Sequence, residues 1–302
     1  GSLRIPAGWN NIYSIRPTAG MIEPSQPNAF LSHPISTAGP MARTPTDLCL
    51  LLETMAGKDR FDASLVSSAR SAESIRIGWL ADWGGALPFE EGIIELCTDA
   101  LDMFIKNGAD GSVDLISKPP FDSELLWNSW TAIRSKLLAD QFLIDYGESK
   151  VFNAKLPLKP EILWEIERGL ALNDATIEEA QQIAEGWSSC AMNLFEKYDI
   201  LALPSSQVWP FPAEWRWPKT IAGTNMDTYH RWMQVVVPGS LAGLPCVTIP
   251  VGFNDNGLPM GMYLMGPRNS DAKLLAFAEH YHSKRDWPSK RKPIKDRINR
   301  VL

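Results

Sequence analysis

Ile75-Arg76-Ile77-Gly78-Trp79-Leu80 reads as a strand, and the two segments after it decide the fold class. Residues 89–107 place Ile93, Ile94, Leu96, Cys97, Leu101, Phe104 and Ile105 on one side of a helix that Gly108 ends, and Val113 to Ile116 is a second short strand. Strand, helix, strand is a βαβ unit, which favours parallel pairing. The expected class is therefore α/β, a mixed and largely parallel sheet flanked by helices.

Outward from that unit, residues 122–198 read as mostly helical, with segments near 122–146, 160–172 and 175–197. Thr176-Ile177-Glu178-Glu179 has the form of a capping box for the last of them. Ile200 to Leu203 is a buried strand ending at Pro204, and Cys246–Val251 and Met260–Met265 are two more strands. Asn254-Asp255-Asn256-Gly257 between the last two is a hairpin turn signal. A final helix runs from Asp271 to Tyr281. On the other side, residues 1–43 read as loops and short strands wrapped around a site. Thr44-Pro45-Thr46-Asp47 caps a helix carrying Leu48, Leu51, Leu52 and Met55, with Gly57 as its stop. No linker isolates the 120–198 helical segment, so residues 1–302 are expected to form one domain.

Composition narrows the function. The 302 residues carry a net charge of −6, and the one basic stretch, Lys284 to Arg300, is interrupted by acids and prolines. Nucleic-acid binding rests on neutralising phosphates, so it is not expected. The four cysteines and four histidines have no zinc, redox or other metal spacing, which predicts buried thiols in a reducing cytoplasm and no metal site. Trp232 to Phe253 is strongly apolar but broken by Pro238, Gly239, Gly243, Pro245 and Pro250; it reads as a buried helix and strand, not a membrane span.

Six blocks carry a resemblance. They are Gly1-Ser2-Leu3-Arg4-Ile5-Pro6-Ala7; Ile15-Arg16-Pro17-Thr18-Ala19-Gly20; Gly39-Pro40-Met41-Ala42-Arg43-Thr44 with Asp47 and Ala56-Gly57-Lys58-Asp59; Tyr198-Asp199-Ile200-Leu201 with Pro204; Leu241-Ala242-Gly243-Leu244-Pro245 with Ile249-Pro250-Val251-Gly252; and Gly257-Leu258-Pro259-Met260-Gly261. In this order they resemble the amidase signature family, over about the last two thirds of its domain. The resemblance implies that family's fold, incomplete at its N-terminal side. It also implies amide hydrolysis through a serine acyl-enzyme with a Ser-Ser-Lys triad, with no metal or cofactor.

By the same resemblance Ser2 is the nucleophile and the Gly1 backbone is part of the oxyanion loop. A serine hydroxyl is a weak nucleophile unless a base takes its proton. In the family that base is a lysine acting through a second serine, both lying before the nucleophile, and no lysine or serine pair of this chain matches them. The expectation is that a missing N-terminal segment, or a chain supplying it, completes the site. Gly-Ser is also what a cleaved purification tag leaves, but Leu3 to Gly8 continues the family pattern and favours a native catalytic position.

Trp209, Trp215 and Trp217, interleaved with Pro210, Pro212 and Pro218, form an aromatic loop just past a strand end. They are either a wall of the acyl pocket or the packing of a long surface loop. Trp127, Trp130 and Trp164 read as core or dimer contacts, Arg4 as a buried structural arginine, and His230 as structural. The leading expectation is an amidase acting on a linear, small or aromatic amide, with a homodimer as one arrangement open to it. The alternative is a catalytically incomplete fragment or subunit that binds substrate or a partner chain. Two further readings rank below these: membership of an amidotransferase complex, and an N-terminal nucleophile freed by processing before Ser2.

Overall fold

The computed structural model describes residues 3–24, 28–69, 75–106, 111–147 and 158–292. In chain order the elements are α1 (Arg4–Trp9), β1 (Tyr13–Arg16), α2 (Ala29–Ser32), β2 (Met41–Ala42), α3 (Pro45–Ala56), α4 (Ser64–Ala69), β3 (Ile75–Trp79), α5 (Ile93–Lys106) and β4 (Gly111–Leu115). There follow α6 (Ser123–Tyr146), α7 (Pro160–Ala171), α8 (Asp174–Lys197), β5 (Ile200–Pro204), the small pair β6 (Thr220–Ile221) and β7 (Thr224–Asn225), and a 3-10 turn at Arg231–Val236. The last elements are α9 (Val237–Leu241), β8 (Cys246–Phe253), β9 (Pro259–Met265), α10 (Asp271–Lys284) and α11 (Trp287–Lys290).

The main sheet runs β2-β1-β8-β9-β5-β3-β4. The βαβ unit read around Ile77 is present, and β3 pairs in parallel with both β4 and β5. The expected largely parallel character holds on that side only, because β5–β9, β9–β8, β8–β1 and β1–β2 are antiparallel. For the β8–β9 pair, connection length is the reason. β8 and β9 are joined by the Asn254–Gly257 turn, with Gly257 at φ 75°, and a turn that short permits only an antiparallel hairpin.

Both faces of the sheet are covered. Along β5, Ile200 and Ala202 enter one core with Leu48 and Leu52 of α3, Cys97 and Leu101 of α5 and Leu275 of α10. Leu201 and Leu203 point the other way, into a core with Trp127 of α6 and Trp187 of α8. Alternation along a pleated strand with both faces buried is why β5 reads as an unbroken apolar run. The side chains of Phe104 and Ile105 lie outside the described residues.

Three local readings change. Residues 4–9 are helical rather than loop: Pro6 sits in the first turn, where backbone N–H groups lack helical acceptors and a missing one costs nothing. α8 starts earlier than the Thr176 box suggests, because the Asn173 carboxamide caps it, accepting from Thr176 N at 2.9 Å. The apolar stretch from Trp232 is a 3-10 turn and the short α9 before β8. Among the described residues no helix is long and apolar enough to cross a membrane. α3, in contrast, begins at the Thr44 cap, with Asp47 N donating to Thr44 Oγ1 at 3.1 Å, and stops at Gly57.

Candidate functional site

Five of the resemblance blocks, far apart in sequence, supply β2, β1, β8, β9 and β5, which adjoin in the sheet, and α1 packs on β1, β8 and β9. Gly1 and Ser2 lie outside the described residues; Leu3 is where the description of that segment begins. Leu3 O accepts from Ala7 N at 3.0 Å, closing the first turn of α1, and from Ser14 Oγ of β1 at 3.1 Å. Arg4 is buried, with no carboxylate bonded to it among the described residues. Its guanidinium donates to Val236 O at 2.8 Å and to Ser240 Oγ, and lies over the Tyr263 ring with the centroid 5.1 Å away. Tyr263 in turn donates to Val235 O at 2.8 Å. A forked donor held between backbone, hydroxyl and aromatic face suits arginine and no other side chain.

At the other end of α1, Gly8 sits on Gly261 of β9. A methyl group there would come within 2.8 Å of Gly261 N and would collide with Ser205 Oγ. The close approach to backbone requires glycine, since Gly261 N cannot swing aside. Gly8→Ala is therefore expected to destabilise the chain by about 1–3 kcal/mol, read as a lowered urea midpoint at unchanged slope. A variant as stable as wild type would show that α1 does not bear on the sheet as described.

Past β5, Ser205, Ser206 and Gln207 are all fully buried. Gln207 Nε2 donates to Pro88 O at 2.9 Å, and its Oε1 accepts from Val235 N at 3.0 Å, so one side chain ties three loops together. The three expected tryptophans then diverge. Trp209 turns to the Glu90–Glu91 loop, its indole donating to Glu91 O at 3.0 Å. Trp215 is exposed and runs parallel to Phe211 at 6.3 Å. Phe211 stands edge-on to Trp9 of α1 and to Trp232, which stack on each other at 5.4 Å. Trp217 lies under Lys219 Nζ, 3.1 Å from its centroid, and turns an edge toward Tyr229. Of the three, Trp215 is the one linked through rings to α1.

Sequence reading missed a buried polar cluster beside this loop. Glu165 of α7 takes Arg134 Nε of α6 at 3.0 Å and the Tyr229 hydroxyl on one oxygen, Oε1. His230 Nε2 lies 3.8 Å from the same oxygen, while its Nδ1 faces Thr228 Oγ1 at 2.9 Å. Tyr229 stacks on the imidazole at 4.4 Å, and Trp127 and Trp130 stand 4.9 and 5.4 Å from it. Burial, then the guanidiniums of Arg134, Arg168 and Arg231, push the His230 pKa down to about 3. Burial, opposed by Arg134 and aided by Glu165, pushes the Tyr229 phenol up to about 12. The one signal in the sequence is Glu161, Glu165 and Arg168 recurring on one face of a helix. Among the described residues no group of metal-ligating side chains is assembled.

The sign of the His230 shift gives a pH dependence. Folded His230 stays neutral down to pH about 3, whereas the unfolded side chain takes up a proton below about 6.5, so acid favours the unfolded state in that window. His230→Gln removes this contribution. At pH 5 wild type should have lost about 2 kcal/mol relative to its own value at pH 7 that the variant keeps, by urea unfolding at both pH values. Parallel pH profiles would show that His230 protonates freely in the fold.

A sequence model of the Amidase family matches residues 1–275. One of the subunits of the glutamyl-tRNA(Gln) amidotransferase of Synechococcus sp. (strain JA-3-3Ab) is 27% identical, over 97% of this chain and 60% of its own length. The acylamidase of Rhodococcus erythropolis is 24% identical, over 96% of this chain and 61% of its own. The crystal structure of a bacterial aryl acylamidase of the amidase signature family matches the fold with a TM-score of 0.80 at 23% identity, covering 94% of this chain and 60% of that one. The chain thus spans about 60% of the length of the curated relatives it matches. Blocks dispersed in sequence that converge under one helix, and a family match reaching from residue 1 to residue 275, lead to one assignment: this chain belongs to the amidase family.

Proposed function

We propose that this chain carries the nucleophile of an amide-hydrolysing site, with Ser2 in that role and the Gly1 backbone contributing to the oxyanion hole. The Ser2 hydroxyl adds to the carbonyl carbon of a linear, small or aromatic amide as a base takes its proton. The tetrahedral intermediate expels the amine, which leaves protonated, and water then releases the acid from the acyl-serine. The cycle uses no metal or cofactor. The observation that supports this reading best is the seat of α1, which begins two residues after Ser2 and is clamped by Arg4 at one end and Gly8 at the other. A nucleophile needs that rigidity, because small misplacements cost large factors in rate.

A second reading is favoured by the length relation and by the relatives named as amidotransferase subunits. In it the proton-accepting lysine and second serine come from a further segment or a partner chain, and this chain alone binds substrate without turnover. Release of 4-nitroaniline from 4-nitroacetanilide separates the two. Steady turnover by the purified 302-residue chain supports the first reading. Turnover only after a companion polypeptide is added supports the second.

A further inference from the structure

Two atoms in the Glu165 cluster have no hydrogen-bond partner among the described residues: Glu165 Oε2 and His230 Nε2, in side chains 0% and 1% exposed. Buried carboxylate oxygens and imidazole nitrogens are nearly always paired. Here two unpaired ones belong to side chains in contact, with His230 Nε2 3.8 Å from the other oxygen of the same carboxylate. Nothing in the proposed hydrolysis uses them.

Charge selects what could pair with them. Glu165 is already neutralised by Arg134, and the guanidiniums of Arg168 and Arg231 also act on His230. A cationic group entering here would meet three positive charges. An anionic group would meet the bare carboxylate oxygen. A neutral hydroxyl fits both atoms: it donates to Glu165 Oε2 and accepts from His230 Nε2. His230 carries its proton on Nε2 when the Thr228 hydroxyl donates to Nδ1, a contact present at 2.9 Å. The surroundings are flat and apolar, since Trp127, Trp130 and Tyr229 crowd the imidazole. Trp232, two residues beyond His230, stacks on Trp9 of α1, so the pair is one short segment from the helix that follows Ser2.

We propose that Glu165 and His230 form a recognition point for a neutral hydroxyl group carried on the aromatic part of an amide substrate. This rests on the amidase reading for the identity of the substrate, but the site is defined by its own geometry.

The test is a binding comparison in the full chain bearing Ser2→Ala, monitored by saturation-transfer NMR titration. The probes are 4-hydroxyacetanilide and 4-methoxyacetanilide, which differ in one donor. The hydroxyl compound should bind about tenfold tighter, and Glu165→Gln, added to that chain, should bring the ratio to within about twofold. His230→Gln, which leaves the Arg134–Glu165 pair intact, should reduce the ratio as well and serves where Glu165→Gln does not fold. Equal affinities in the parent chain, or no detectable binding of either probe, would overturn the proposal; equal affinities are what an internal water on these atoms produces. Tighter binding of the cationic 4-(aminomethyl)acetanilide than of the hydroxyl probe would overturn it too. Hydrolysis of acetanilide by the wild-type chain is scored separately. A tenfold ratio with no hydrolysis, either by the chain alone or with a companion polypeptide, removes the amidase reading and leaves the site, whereas hydrolysis without the ratio removes the site alone.

Discussion

Ser2→Ala is expected to lower kcat/KM for 4-nitroacetanilide by at least about 10³-fold, and by up to about 10⁶-fold, in whichever preparation, chain alone or with companion, turns over. The size follows from the chemistry. Without the hydroxyl no acyl-enzyme forms, and what remains is the modest assistance of an oxyanion hole and a bound substrate. The same substitution should abolish labelling by a fluorophosphonate, which reads the nucleophile without requiring a full cycle. Folding should be unaffected, because the substitution leaves in place the described contacts of Leu3 and Arg4 that seat this segment. An unchanged melting temperature therefore separates lost chemistry from lost structure. Two buried serines of the region have occupied hydroxyls: Ser206 Oγ donates to Val208 O at 2.8 Å, and Ser205 Oγ faces Met260 Sδ at 3.9 Å. Labelling or turnover that survives in Ser2→Ala would move the nucleophile elsewhere and sink the assignment of Ser2.

Legibility along the chain tracks the range of the forces involved. The βαβ unit at Ile75–Leu115 and the Thr44 cap are legible because periodicity and capping act within a few residues. The βαβ unit does not reveal that β5 also pairs antiparallel with β9, since pairing between strands separated by more than fifty residues leaves no local mark. α1 escapes a sequence reading because Pro6 argues against helix everywhere except in a first turn, and nothing local says where that turn begins. At the site, the resemblance locates Arg4 and Gly8 but not why they are required. Val236, Ser240 and Gly261, which answer that, are brought to them only by the fold. Glu165 shows the limit most clearly. On α7 it reads as one more charged helix residue, and its total burial arises because Arg134, Tyr229 and His230 arrive from two other segments.

Arg134→Met should be among the most destabilising substitutions in the helical part of the chain, costing about 3–5 kcal/mol. Glu165 is fully buried, and the Arg134 guanidinium is the cation bonded to it. Burial works against the charge on Arg134, but Glu165, with Tyr229 behind it, outweighs that and raises its pKa. Removing the arginine leaves a buried carboxylate hydrogen-bonded to the Tyr229 phenol alone among the described residues, with the Arg168 guanidinium acting on it only through space. The exposed pairs behave differently. Arg231–Glu124, with its carboxylate 55% exposed, should contribute less than about 1 kcal/mol. Two observations would establish the buried pair. The single variant should show the full loss at pH 7. The double variant Arg134→Met/Glu165→Leu should recover most of it, because no charge is then left behind. A single variant that loses under about 1 kcal/mol, or a double variant no more stable than the single, would mean that Glu165 is held by its hydrogen bonds to Tyr229 and its surroundings, and that Arg134 is dispensable to the fold.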